Sequence, residues 1–235
     1  MIDERACREE ICAIGRDLYA RGHTSGSAGN ISARLSDGWL ITPTDVCLGR
    51  LTPEGIAKTD FEGNQVSGPR ASKTVTLHRR IYEQRPDCNG IIHTHSTHLV
   101  ALTLAGVDAE NAILPPITPY QVMKIGRVPL IPYERPGSPK AAARVAELAP
   151  SVNGVMLDRL GPVVWGRSVT RARHALAERA ETARLWLLCP SRCATPAGAR
   201  VAESAELFGA RRGRCGPSRR RGSAACRGSA SSSWV

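Results

Sequence analysis

Aromatic side chains are scarce in this sequence. Phe, Trp and Tyr together make up only 4% of its 235 residues. The core must therefore be built from aliphatic side chains, and little is available for stacking on exposed bases. Long apolar runs are also missing: none approaches the roughly 18 residues that span a bilayer. The charged start MIDERACREE has no apolar stretch of the kind a secretory signal carries. These features predict a soluble cytoplasmic protein that does not engage a membrane. Cysteine itself is present, but a disulfide framework is not. Cys7 and Cys12 fall in a helical pattern, Cys47 and Cys88 stand alone, and Cys189 and Cys193 form a C-x3-C, a weak metal signal by itself. Reduced thiols are the expectation.

Acidic residues are outnumbered, 21 against 32 Lys and Arg, for a formal net charge of +11. The excess is local. Residues 209–235, GARRGRCGPSRRRGSAACRGSASSSWV, hold seven Arg and no acid, which leaves +4 for residues 1–208. The tail is too polar to bury a core and reads as disordered. A polyanion could contact it, but with almost no aromatic residues it gives no basis for specific nucleic-acid binding. The expected organisation is one folded domain over 1–208 and a disordered Arg/Gly/Ser-rich tail over 209–235.

Within the domain, apolar periodicity predicts a helix over 3–21, where Cys7, Ile11, Ile14 and Leu18 share a face and Gly22 supplies the stop. GHTSGSAGNIS follows as a loop with exposed backbone N–H groups. WLIT (39–42) reads as a strand, then PTD as a turn. Residues 72–85 read as a helix with Ser72 as N-cap and Pro86 just beyond its end. GIIHTH (90–95) is a strand, with Ser96 or Thr97 capping a helix through Leu104. VPLI (128–131) is a strand, and Ser138-Pro139 opens a helix. GVMLD (154–158) and PVVW (162–165) pair around Leu160-Gly161, and a long helix runs from about Ser168 to Leu188. Strands interspersed with helices predict a layered α/β domain.

Three of the six histidines, His93, His95 and His98, crowd into NGIIHTHSTHLV (89–100). Alternate residues of a strand share a face, so His93 and His95 point the same way. Two neutral imidazoles a strand repeat apart can hold one divalent ion. They can equally be solvated side chains at a strand end.

GSAGNIS (26–32), ITPTD (41–45), the Ser72-Lys73 helix start, IIHTHST (91–97) and PPITPY (115–120) occur in that order. Together they resemble the class II aldolase/adducin family, over roughly residues 5–188. That family includes metal-dependent fuculose-phosphate aldolases and ribulose-phosphate epimerases. SAGNIS, the TPTD-x-CLG stretch, ITPYQVMK and VPLIPYERPG are most similar to its 3-oxo-tetronate 4-phosphate decarboxylase branch. The resemblance implies a three-layer α/β/α domain with a central mixed or antiparallel sheet. It implies a divalent metal, most plausibly Zn2+, on His93 and His95. It also implies a homotetramer whose active sites lie at subunit borders. By position it carries Gly29, Asn30, Thr44, Ser72 and Lys73 to the substrate phosphate, and Tyr120 to the role of proton donor. Asp45, beside the phosphate, would contribute only its backbone.

Two positions depart from the family pattern. Thr74 stands where family enzymes commonly carry a Glu base, and threonine is a poor base at neutral pH. Leu160, in Asp158-Arg159-Leu160-Gly161-Pro162, stands where a third metal histidine is expected. His98, His78 or Asp158 are the candidates to replace it. The lost Glu harms a β-keto acid decarboxylase less than an aldolase, because departing CO2 leaves the electron pair without a base. The expected function is decarboxylation of a 3-oxo-tetronate 4-phosphate to dihydroxyacetone phosphate and CO2. The alternatives are a sugar-phosphate aldolase and a non-catalytic adducin-like scaffold.

Overall fold

The computed structural model describes residues 3–105, 113–114 and 117–189. Pro115 and Pro116 of the PPITPY motif, Cys193 and the tail 209–235 lie outside them. Eight strands form one sheet: β1 (Asn30–Arg34), β2 (Trp39–Ile41), β3 (Ala57–Thr59), β4 (Gln65–Ser67), β5 (Gly90–His93), β6 (Leu130–Ile131), β7 (Gly154–Leu157) and β8 (Gly161–Gly166). Their order across the sheet is β4-β3-β2-β1-β5-β8-β7-β6. Every pairing is antiparallel except β6–β7, which is parallel, so the sheet is mixed. The helices are α1 (Glu4–Ala20), α2 (Val75–Gln84), α3 (Thr97–Leu104), α4 (Pro139–Leu148) and α5 (Val169–Leu188).

The strand pleat sorts the core into two halves. Ile92, Val164, Met156 and Leu40 pack with α1, α3 and α5. Their strand neighbours Ile91, Val163, Trp165, Val155, Leu157 and Trp39 pack with α2 and α4. The period of two along each strand thus buries both faces, giving the three-layer arrangement. Each fully buried Ile, Leu or Val contributes about 1.5–3 kcal/mol, which is how a sequence poor in aromatics builds its core. The buried aromatics Trp39, Tyr82 and Trp165 all lie on the α2/α4 face. Trp39 stacks on Tyr82 at 5.5 Å between ring centroids, and the Arg34 guanidinium lies 4.8 Å from the Tyr82 ring. Arg34 also donates to the Tyr82 and Cys88 carbonyls at 2.8 and 2.9 Å, which pins α2 across β1.

Several boundaries differ from the sequence reading. GSAGNIS contributes a strand, not only a loop: Asn30 and Ile31 begin β1, hydrogen-bonded to β2 and β5. The 90–95 strand ends at His93, and VPLI contributes only Leu130 and Ile131. Ser72 is not the N-cap of α2. The helix starts at Val75, and the Ser72 hydroxyl is bonded to Thr74 Oγ1 at 2.9 Å instead. β3 and β4 were too short and too polar to give a periodic signal. Cys7, Cys12, Cys47, Cys88 and Cys189 are free thiols, as expected.

Candidate active site

A cavity opens between the sheet and the α2/α4 layer. Asn30, Lys73, Thr74, His78, His93, His95, Glu134, Arg135 and Leu160 are among its walls. β1 and β5 supply the floor. Asn30 lies directly opposite His93 in their antiparallel register, so both side chains project from the same face. That face is the α2/α4 face, because Ile91, two residues before His93, packs there. Two glycines let the end of β5 sit so tightly. A Cβ on Gly29 (φ +87°) would fall 2.7 Å from the His93 carbonyl oxygen, and one on Gly161 (φ +121°) would run into the Thr94 carbonyl oxygen. Both φ values are ones that L side chains rarely adopt.

The His93 and His95 ring centroids are 5.0 Å apart. The Pro162 carbonyl lies 2.9 Å from His93 Nδ1. A carbonyl can only accept, so Nδ1 carries the proton and Nε2 keeps its lone pair. This is the arrangement of a metal-ligating histidine whose other nitrogen is held by a backbone carbonyl. Burial, with the neighbouring His95 charge adding to it, lowers the His93 pKa to about 4, so the ring is neutral at pH 7. His95 sits in the open part of the cavity, and partial loss of hydration lowers its pKa too.

Leu160 lies on the cavity wall, half-buried, where the family resemblance placed a ligand, and it brings no donor atom. Neither His98 nor Asp158 lines the cavity; His98 is exposed on α3. Among the described residues no three His, Cys, Asp or Glu side chains lie close enough to share one ion. The donors present therefore fit a divalent cation held by two imidazoles, with oxygens of water or ligand filling the other positions.

The rest of the cavity suits an anion. The N-termini of α2 and α4 both open onto it, through Lys73 and Thr74 and through Gly137 and Ser138. The Val75 amide is taken by the Ser72 carbonyl at 3.0 Å, the Thr74 amide donates to Ser72 Oγ at 3.4 Å, and Pro139 has no N–H, so what the two helix starts offer an anion is chiefly their positive dipole ends. Lys73 and Arg135 add formal charge, and both are exposed. Of the expected phosphate residues, the structure brings Asn30 and Lys73 to the cavity. Gly29 shapes it from behind, while Thr44 and Ser72 do not line it. Thr74 does line it, with its hydroxyl engaged by Ser72.

Tyr120 is not in this cavity. It is exposed, with Lys124 Nζ 4.5 Å from its ring centroid. Conversely, sequence reasoning did not single out Glu134 or Arg135. Among the described residues Glu134 is the only carboxylate on the cavity wall, held by a 2.8 Å bond from Ser138 Oγ. The signal was present in VPLIPYERPG, but a loop after a two-residue strand gives no periodicity from which to place a side chain.

Comparison with known proteins bears on the family and the fold. Residues 9–187 match the class II aldolase and adducin N-terminal domain family. A 3-oxo-tetronate 4-phosphate decarboxylase of Cupriavidus necator is 57% identical over 217 residues, 90% of this chain and 100% of that protein. One from Escherichia coli is 42% identical over 191 residues, 80% of this chain and 90% of that protein. The crystal structure of YgbL from Escherichia coli, described as a putative aldolase/epimerase/decarboxylase, superposes with a TM-score of 0.82 at 38% identity. It covers 86% of this chain and 99% of its own.

Proposed function

This chain belongs to the class II aldolase and adducin family, and we propose that within it the chain is a carbon–carbon lyase that decarboxylates a 3-oxo-tetronate 4-phosphate. The observation that carries this reading is the convergence of His93, His95, Asn30 and Lys73 on one cavity. It joins a two-imidazole cation site to a cationic anion site at two helix starts. The decarboxylases at 57% and 42% identity support the choice of reaction within the family.

In the proposed reaction the phosphate rests on Lys73 and the positive end of α2, with Asn30 beside it. This fixes the 3-oxo acid in the cavity. The C1–C2 bond breaks and CO2 leaves. Its electron pair forms the C2–C3 double bond, and the C3 carbonyl electrons move onto oxygen, giving an enediolate. Protonation at C2 then yields dihydroxyacetone phosphate. His93 Nε2 and His95 would hold a divalent ion, Zn2+ by donor type, which supplies positive charge beside the developing oxyanion. The neutral state of His93 keeps its lone pair available at pH 7. No base is needed, which suits a cavity with Thr74 at the base position.

The proton at C2 comes from water or from Tyr120. Because Tyr120 lies outside its own protomer's cavity, it would act in the cavity of a neighbouring copy. That role for Tyr120 requires the homotetramer with sites at subunit borders that the family resemblance implies. Among the described residues no helix is long and apolar enough to cross a membrane, and we place the enzyme in the cytoplasm.

The test is CO2 release from 3-oxo-tetronate 4-phosphates, together with metal analysis of the purified protein. One divalent ion per chain and CO2 with dihydroxyacetone phosphate are the expected results. Absence of both after zinc supplementation would favour an adducin-like scaffold. Cleavage to an aldehyde without CO2 would favour an aldolase.

A further inference from the structure

Two buried polar atoms beside the cavity have no partner, and they are complementary. Asn30 Oδ1 and His78 Nε2 are both sealed from solvent without a hydrogen bond. Both residues line the cavity, and both belong to its β1/α2 side. An unpaired buried donor or acceptor forfeits its hydration without compensation, so each calls for an explanation.

The proton inventory of the neighbouring side chains decides what His78 offers. Ser32 Oγ lies 2.7 Å from His78 Nδ1 and 2.8 Å from the Tyr82 hydroxyl oxygen. Tyr82 is fully buried and has no other side-chain partner among the described residues. If the Tyr82 O–H donates to Ser32 Oγ, the Ser32 proton goes to His78 Nδ1 and every group in the chain is satisfied except Nε2–H. The reverse direction leaves the Tyr82 proton orphaned as well. The first arrangement has one fewer buried orphan, so His78 is the tautomer with its proton on Nε2. A donor of that tautomer does not ligate a cation, which removes His78 from the candidates for a third metal ligand.

The location of the acceptor follows from the strand. Ser32 and Asn30 are two residues apart on β1 and therefore share a face. His78 is fastened over Ser32 by Nδ1, and it lines the same cavity as Asn30 and as His93, the residue directly opposite Asn30. The Nε2 edge thus faces the Asn30 end of the strand. Only Oδ1 of the Asn30 amide is sealed; its nitrogen is not among the closed-off atoms. Because both orphans are closed to solvent, they are better placed to meet each other than a ligand.

We propose that Tyr82, Ser32 and His78 form a buried relay that presents Nε2–H of His78 to the Asn30 carbonyl oxygen, closing on it when the cavity is occupied. This fixes the Asn30 amide with its NH2 toward the anion. His78 is then a positioning residue: it acts on the ligand through Asn30. The inference rests on the phosphate-binding role proposed for Asn30.

The test combines a tautomer measurement with a double-mutant cycle. In 15N-histidine-labelled protein, long-range 1H–15N correlation, assigned by comparison with His78→Gln, should show the His78 proton on Nε2. A proton on Nδ1 overturns the proposal, and this readout needs no substrate. Binding of dihydroxyacetone phosphate is then measured by calorimetry for variants whose melting confirms folding. His78→Leu should weaken binding about tenfold, equivalent to about 1.4 kcal/mol. His78→Gln, which keeps an N–H at the Nε2 position, should restore it to within about threefold. In the Asn30→Ala background, His78→Leu should add little further loss. Full additivity of the two losses would instead mean that His78 acts on the ligand directly, and the relay to Asn30 would be wrong. If the wild type binds no dihydroxyacetone phosphate, the proposed function fails while the tautomer still decides the relay.

Discussion

His93 and His95 place their rings 5.0 Å apart even though β5 ends at His93. The extended backbone continues past the last ladder hydrogen bond far enough for the second ring to turn to the same side. Thr94 N still donates to the Pro162 carbonyl at 3.3 Å, and the Ser96 hydroxyl donates to the His23 carbonyl at 3.0 Å. The pair is therefore held by its surroundings and not by the strand alone.

Leu160→His tests the two-imidazole site directly. Leu160 already lines the cavity, and a third imidazole completes the usual set of protein ligands at a catalytic zinc. Zinc affinity, measured by competition with a chelator, should rise about tenfold or more. His93→Ala should abolish stoichiometric zinc. Unchanged affinity in Leu160→His would mean that the ion, if bound, sits elsewhere.

Lys73→Met removes the formal charge at the start of α2. An exposed charge-assisted bond to phosphate accounts for about 1.5 kcal/mol, the low end of its range. KM for the phosphorylated substrate should rise about tenfold, with kcat less affected. A fall in kcat at constant KM would place the phosphate away from Lys73.

Gly161→Ala puts a methyl group against the Thr94 carbonyl, between the two histidines, at φ +121°. The clash and the strained backbone together should cost about 3 kcal/mol, read from urea denaturation. Zinc retention should fall in the same variant, since the end of β5 must move. A neutral effect on both would show that this corner is more pliant than its packing indicates.

Stability should fall with acidification in metal-free protein. Burial, with the nearby His93 charge adding to it, lowers the His78 pKa to about 3; burial and the His95 charge lower that of His93 to about 4; the ordinary histidine value is 6.5. Below pH 6.5 the unfolded chain takes up protons that the folded chain refuses, so these groups leave stability intact above that value. Between there and the folded pKa values, each histidine removes up to about 1.4 kcal/mol per pH unit. Denaturation midpoints between neutral pH and the folded pKa of His93 should show this slope, and His78→Gln should show a smaller one.

The sequence by itself determined the elements with strong periodicity and the residue types at the site. The apolar stripe of α1, the Ile91/Ile92 alternation of β5 and the length of α5 could be read because each repeats a pattern over enough residues to exceed chance. The paired histidines, Asn30, Lys73 and the two substituted positions, Thr74 and Leu160, were visible as motifs. Tertiary structure alone decided what meets what. Only the antiparallel register sets Asn30 opposite His93, only the packing of α2 over β1 brings His78 onto Ser32, and only the turn after β6 delivers Glu134 and Arg135 to the cavity. Tyr120, placed at the site by its motif, lies outside the cavity. Local sequence encodes the period of a strand or helix, which depends on a residue and its near neighbours. The meeting of residues tens of positions apart depends on how whole layers bury their apolar faces, and no short motif carries that information.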